Sequence, residues 1–181
     1  MKKMHLKLSI VFVIIFLTGF EGKAQDFRGL DKSPHDIAYY RTNKISPPLI
    51  KVLYGRPQKK GRKIFGSLIP YDQIWRVGAD EATEIKFYED VLFGDEKVKA
   101  GTYVLYAIPN EKEWTLILSS NLDVWGTYEY ESKFDVVRVK AKVGFAESVE
   151  SFSIGFKQKP KHVNMILGWD HTRVTLPITF Y

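Results

Sequence analysis

Apolar and polar residues alternate along much of the chain, and this rhythm decides which secondary structure the chain can form. From residue 137 to 143, valine or alanine alternates with arginine or lysine. The same two-residue period recurs over residues 151–157, 162–169 and 173–180. Successive side chains of a β-strand point to opposite faces, so these four runs are predicted to be strands with one buried face.

Shorter runs rich in β-branched and aromatic residues indicate further strands upstream. They lie at residues 50–54, 84–88, 91–93, 102–108 and 114–119. A short polar segment joins the last two runs, as a hairpin loop would. No stretch shows helical periodicity of useful length. About nine strands separated by turns predict an all-β fold, either a sandwich or a barrel.

Between these two architectures we expect a single-domain antiparallel β-sandwich with a jelly-roll-like arrangement. The predicted strands vary in length, and Pro177 lies inside one of them. Proline cannot donate to a neighbouring strand, so we expect Pro177 at a sheet edge or a bulge. Trp114 and Trp169 fall on the apolar faces of their runs and are predicted to lie in the core.

The N-terminus has the order of features of a secretory signal. Three lysines among the first seven residues precede an apolar run at residues 8–20, and Gly22 and Ala24 supply small side chains before a cleavage site. We therefore expect residues 1–24 to form a cleavable signal helix and residues 25–181 the single β-sandwich domain. A membrane anchor is the alternative, but a spanning helix needs about 20 apolar residues. The expected location is the periplasm or the medium, with no membrane span after cleavage.

Composition excludes several classes of function. The chain has no cysteine, which rules out disulfides, thiolate chemistry and a lipid-modified cysteine. The net charge of +6 includes four lysines and one glutamate in residues 1–24, so the mature chain has a net charge of +3. The charges form no long basic run, and nucleic-acid binding is not expected.

Two stretches, residues 56–66 and 74–83, interrupt the alternation with charged, glycine and aromatic residues. Loops held by a rigid sheet often carry binding sites. The planar forks of arginine match carboxylates and phosphates, and tryptophan offers an apolar wall. The sequence therefore predicts a site for a small polar or anionic ligand, carbohydrate included, formed by Arg56, Arg62, Trp75, Arg76 and Glu81.

Two alternatives use the same residues. The arginines could pair with Asp80 and Glu81 in a structural network, which would suit an envelope protein that serves as a scaffold or binds a partner. Asp80 and Glu81 could instead act as acid and base in a hydrolase-like enzyme. Neighbouring side chains on a strand point to opposite faces, so this second alternative requires a turn between them.

Several sequence blocks carry a resemblance to a known family. They are YGRP at residues 54–57, GRKIFG at 61–66, WRVGADEAT at 75–83, AGTY at 100–103 and EW at 113–114. In these blocks the chain resembles domain-of-unknown-function family 2911 from about Ser33 to the C-terminus. The resemblance implies an exported bacterial protein and brings no established activity. That family often has asparagine at the position of Asp80, which favours hydrogen bonding over carboxylate chemistry there.

No metal or cofactor is predicted. His35, His162 and His171, with Asp36 and Asp170, lack the short spacing of zinc motifs. The glycines lack the spacing of phosphate-binding loops. One further segment, residues 123–130, is aromatic and without period. Its Trp125 is predicted either to cover the end of the sheet or to form a stacking platform for a sugar.

Overall fold

The computed structural model of the protein describes residue 27 and residues 29–181. Residues 31–181 form one compact unit, which contains all the strands of the described residues. The predicted signal peptide, residues 1–24, lies outside the described residues. Among the described residues, no helix is long and apolar enough to cross a membrane.

Nine β-strands and one short 3-10 turn make up the regular structure of residues 29–181. The 3-10 turn, Ser132–Phe134, directly precedes the eighth strand. The sequence prediction of an all-β fold is confirmed. The strands are β1 (His35–Tyr40), β2 (Ile50–Gly55), β3 (Glu84–Phe87), β4 (Val91–Phe93), β5 (Glu96–Val98), β6 (Gly101–Ile108), β7 (Glu113–Ser119), β8 (Asp135–Gln158) and β9 (Val163–Phe180).

Neighbouring strands are antiparallel and form one open sheet in the order β1-β2-β3-β6-β7-β8-β9-β4-β5. The sheet folds back on itself at β8, whose first part pairs with β7 and whose remainder pairs with β9. As a result, Tyr40 of β1 stacks on Phe180 of β9 with ring centroids 5.8 Å apart, although these strands are not neighbours. The expected antiparallel, sandwich-like packing is present, and its two layers belong to one continuous sheet.

The four C-terminal runs predicted as separate strands are joined into two long ones. β8 has 24 residues and β9 has 18, and their pairing continues through register shifts on either side of Val149. Alternation reports which face of a strand is buried, and it lapses at residues 144–148, which are exposed. Backbone hydrogen bonds do not need a buried face, so the strand continues there.

Pro177 lies in β9 at a point where no residue of a neighbouring strand is paired with it. The pairing of β9 with β8 ends at Val174, and β4 ends at Phe93. The carbonyl of Pro177 accepts a hydrogen bond of 2.9 Å from the N–H of Gly94, in the turn after β4. β9 lies between β8 and β4 in the sheet, so Pro177 is not on an edge strand; it lies between the part of β9 that pairs with β8 and the part that pairs with β4.

Aromatic side chains fill the centre of the core between the layers. Trp114 is 2% exposed and Trp169 is 1% exposed, which confirms the prediction that both are core residues. Their rings and those of three further residues lie in edge-on, tilted or stacked pairs with centroids 4.8–6.3 Å apart, the spacing that aromatic pairs favour. The other three members are Phe65, Trp75 and Phe152.

An ion pair joins the segment after β2 to β9, beside a hydrogen bond from β8. The Lys59 ammonium donates to Asp170 Oδ1 at 2.7 Å, and the Ser148 hydroxyl donates to the same oxygen at 2.8 Å. Asp170 has a φ of +49°, in the left-handed region that is unusual for a residue other than glycine. The hydrogen bond from Lys59, followed by that from Ser148, lowers the pKa of the Asp170 carboxyl.

Lys59→Met is expected to make the free energy of unfolding less dependent on pH in the acid range. Because the pKa of Asp170 is lower in the folded state, the stabilisation is complete above its ordinary pKa and is lost as the pH falls through the lower value. The variant keeps the apolar stem but loses about 1 kcal/mol at pH 7, since the pair is partly exposed. Urea unfolding measured at pH 7 and between about pH 2 and 4 checks this.

Lys142→Met is the matched control, because Lys142 has no carboxylate within 4.0 Å among the described residues. Its free energy of unfolding should follow that of the wild type at every pH. If Lys59→Met shows the same acid dependence as wild type, the ion pair does not contribute to stability.

Candidate functional site

Residues 75–83, called here the motif loop, leave and rejoin the sheet beside β6. Trp75 and Ala107 exchange two backbone hydrogen bonds of 2.7 and 2.9 Å, and Leu105 donates to the carbonyl of Thr83 at 2.7 Å. The loop is closed by a bond of 3.1 Å from Thr83 N to the carbonyl of Arg76. These bonds hold both ends of the loop on a rigid strand.

The backbone of the motif loop is strained. Val77 has a φ of +57° and Asp80 a φ of +61°. A β-branched residue in this region is an outlier that costs about 1–3 kcal/mol. The Thr83 hydroxyl, which is fully buried, donates to the carbonyl of Val77 at 2.7 Å and helps to hold this conformation. Such strain is concentrated at functional sites, so the loop is a candidate for one.

Residues 121–130, called here the aromatic loop, pack against the motif loop. Ala82 N donates to the carbonyl of Val124 at 3.0 Å, and Gly126 N donates to the carbonyl of Asp80 at 3.0 Å. Val124 is buried in a small apolar cluster on the outer face of β6 and β7, the face turned away from the main core. Val124 of the aromatic loop therefore covers part of the outer face of the sheet, whereas Trp125, the residue predicted either to cover the end of the sheet or to form a platform, is half exposed.

Trp125 and Tyr128 of the aromatic loop are exposed and stacked. Trp125 is 51% exposed and Tyr128 is 82% exposed, and their rings are nearly parallel with centroids 5.5 Å apart. The guanidinium carbon of Arg76 lies 5.9 Å from the centroid of the Trp125 ring, within the range of a cation–π contact. The second prediction, a stacking platform, is compatible with this exposed pair.

A cavity of about 320 Å³ lies beside the two loops on the outer face of β1, β2 and β3. His35 Nε2 and Glu81 Oε2 are 3.2 Å apart at its wall. Three of its lining residues carry carboxylates, and among the described residues His35 is the only basic side chain within 4.0 Å of these carboxylates. The lining residues are His35, Leu53, Glu81, Ala82, Glu84, Asp123 and Val124.

The carboxylates that line this cavity are hydrogen-bond acceptors. Ionised carboxylates accept and do not donate, so the wall suits hydroxyl, amide N–H or ammonium groups and repels anions. No group of three histidine, cysteine, aspartate or glutamate side chains in the described part of the chain has a geometry that could hold a metal ion.

The predicted binding residues are not brought together. Arg56 donates to Asp36 at 2.8 Å and to Ser153 at 2.9 Å, and so ties β1 and β2 to β8. Arg62 donates to two backbone carbonyls of its own loop, those of Gln58 and Lys59.

Of the other three predicted binding residues, one lies in the core and two lie beside the aromatic loop. Trp75 is 5% exposed and lies in the aromatic core. Arg76 and Glu81 are the two that adjoin the aromatic loop, through the contact of Arg76 with the Trp125 ring and a backbone bridge between Glu81 and Trp125.

The Arg–carboxylate network considered as an alternative is not formed. Among the ion pairs of the described residues, none joins Arg62 or Arg76 to Asp80 or Glu81. Arg76 Nε is buried and has no hydrogen-bond partner among the described residues. Asp80 and Glu81 also differ in position, because only Glu81 lines the cavity.

Three cavity residues could not be selected from the sequence. Glu84 stands opposite Leu53 of β2, and His35 stands opposite Gly55, so strand register brings them to one face. Asp123 has a φ of +57° in the aromatic loop. The available signal was the position of Glu84, directly after the stretch of residues 74–83, and of Asp123, the first residue of the aromatic segment 123–130.

Comparison with known proteins shows the family to which the chain belongs. The family model described as "Protein of unknown function (DUF2911)" matches residues 33–178. No curated protein and no solved structure matches the chain. The matched region includes all nine strands except the last two residues of β9, together with the motif loop and the aromatic loop. The chain belongs to the DUF2911 family.

Proposed function

We propose that the protein is exported and binds a small carbohydrate in the cavity between the motif loop and the outer face of β1, β2 and β3. The observation that carries the proposal is the exposed Trp125–Tyr128 stack beside a carboxylate-lined cavity. Export rests on the signal pattern of residues 1–24.

The two parts of the site match the two kinds of surface that a sugar presents. Exposed aromatic rings offer an apolar face with a wet edge, against which the C–H face of a sugar ring can pack. Glu81, Glu84 and Asp123 offer acceptors for hydroxyl groups. The volume of about 320 Å³ is at the lower end of the range for small-ligand sites.

The charge of the cavity narrows the ligand class. Carboxylates line it and neither lysine nor arginine does, so a neutral or cationic sugar is favoured over an acidic one. Arg76, the nearest arginine of the predicted site, contacts the Trp125 ring and is not a lining residue. The anionic ligand considered from the sequence is therefore the less favoured class.

Trp125→Ala is expected to weaken carbohydrate binding about two- to twelvefold, because an aromatic contact contributes about 0.5–1.5 kcal/mol. The free energy of unfolding should change by less than about 1 kcal/mol, since half of the side chain is already exposed. A glycan array with residues 25–181 identifies the ligand, and calorimetric titration of wild type and variant measures the change.

Phe145→Ala is the matched control, because Phe145 is 76% exposed and lies outside the cavity lining. It should bind as wild type does. A wild-type protein that retains no glycan, or a Trp125→Ala variant with unchanged affinity, would contradict the proposed function.

A further inference from the structure

Three side chains are hydrogen-bonded to one another at the C-terminal end of the aromatic loop. The Tyr130 hydroxyl donates to Asp135 Oδ2 at 2.9 Å, and Arg138 Nε donates to the same oxygen at 2.7 Å. Arg138 Nη2 also donates to the Tyr130 hydroxyl at 2.6 Å. Each member of this Tyr130 network, Tyr130, Asp135 and Arg138, is therefore bonded to the other two.

The Tyr130 network lies against the sheet. The side chain of Asp135 is only 8% exposed. The Tyr130 ring meets the ring of Tyr106 edge-on, with centroids 5.0 Å apart, and Tyr106 is a buried residue of β6. Burial, followed by the hydrogen bond to Asp135, raises the pKa of Tyr130, so its hydroxyl remains a donor at neutral pH.

The Tyr130 network contributes little to the free energy of folding. Asp135 Oδ1 is buried and has no hydrogen-bond partner among the described residues. An unpaired buried acceptor opposes folding, and the ion pair of Asp135 with the partly exposed Arg138 adds little stability. What such a pair does provide is a defined geometry, because it forms in one arrangement only.

The two halves of the aromatic loop are held in different ways. Backbone bonds from Val124 and Gly126 to the motif loop fix the first half. The second half, residues 127–130, has one internal backbone bond of 3.2 Å and a long side-chain bond of 3.4 Å from Asn121 to Glu129. The Tyr130 network is thus its main attachment to the sheet.

We propose that Tyr130, Asp135 and Arg138 are positioning residues that hold residues 127–130 against β6 and so place the Tyr128 ring on Trp125. The significance of this role rests on the proposed function, but the geometry can be tested without a ligand. Its loss should leave the first half of the loop and the sheet in place.

Tyr130→Phe tests this proposal, because it keeps the ring on Tyr106 and removes only the hydroxyl. Amide hydrogen exchange of residues 127–130 should accelerate about tenfold or more, while exchange in β6 and β7 stays at the wild-type rate. The near-ultraviolet circular dichroism of the Trp125–Tyr128 stack should decrease. That signal is defined as the difference between wild type and Trp125→Ala.

Tyr103→Phe is the matched control, since its hydroxyl donates to the carbonyl of Lys99 at 3.0 Å, outside the aromatic loop. It should leave both readouts unchanged. Arg138→Met is a second variant, tolerable because Arg138 is 44% exposed, and it should reproduce the effect of Tyr130→Phe.

Wild-type exchange at residues 127–130 in both variants would overturn the proposal. So would faster exchange spread evenly over the sheet, which would indicate a general structural role. Loosening confined to residues 127–130 supports the positioning role even if no glycan binds, and in that case only the proposed function fails.

Discussion

Replacing Trp75 with alanine is expected to lower the free energy of unfolding by about 3–5 kcal/mol, as truncation of a core aromatic does. The side chain is 5% exposed, and its ring lies 5.1–6.3 Å from the rings of four core residues. Alanine would leave a cavity that this rigid aromatic cluster cannot close. Urea unfolding followed by circular dichroism measures the loss, which is a large part of the total stability of a typical domain.

Trp75→Phe separates the packing role of this residue from a ligand-binding role. The indole N–H of Trp75 is buried without a partner among the described residues, so phenylalanine removes an unpaired donor as well as some volume. The cost should therefore be well below that of Trp75→Ala, and glycan binding should persist. A loss of less than about 1 kcal/mol in Trp75→Ala would show that Trp75 is not a core residue.

The alternation of apolar and polar side chains predicts the fold well, because burial of one face of a strand directly imposes that alternation. Val139 and Ala141 are buried and Lys140 and Lys142 are exposed, as the two-residue period requires. Alternation carries no information on where a strand ends when both faces are exposed. This is why the sequence does not predict the continuation of β8 through residues 144–148.

The candidate site was only partly predictable, because its residues come together through strand register and loop packing. Glu81 and Arg76 were selected from their segment, and both adjoin the aromatic loop. The partner of Glu81 is His35, which the register of β1 with β2 brings to the same face. Arg62 was grouped with them because it is close in sequence, but it bonds to the carbonyls of its own loop.

Gly55→Ala is expected to destabilise the protein by about 3 kcal/mol or more, at the upper end of the range for overpacking. A Cβ atom on Gly55 would lie 2.1 Å from the carbonyl oxygen of Ala79 and 2.8 Å from its carbonyl carbon. Both are backbone atoms of the motif loop, which is held at each end by β6 and cannot rotate aside as a side chain could.

Gly155→Ala is the matched control for this clash. Gly155 also lies in a strand, and a Cβ atom there would meet nothing within 4 Å. Its free energy of unfolding should stay within about 0.5 kcal/mol of the wild-type value. Thermal and urea unfolding of the two variants in parallel isolate the effect of the contact from that of the added methyl group.

The close approach of Gly55 to Ala79 brings two of the sequence blocks into contact. Gly55 lies in the YGRP block and Ala79 in the WRVGADEAT block, and the absence of a side chain at Gly55 lets the two backbones touch. Because Glu81 follows in the same loop, displacing Ala79 should also widen the cavity and weaken carbohydrate binding. Wild-type stability in Gly55→Ala would mean that the motif loop can move away from β2 at little cost.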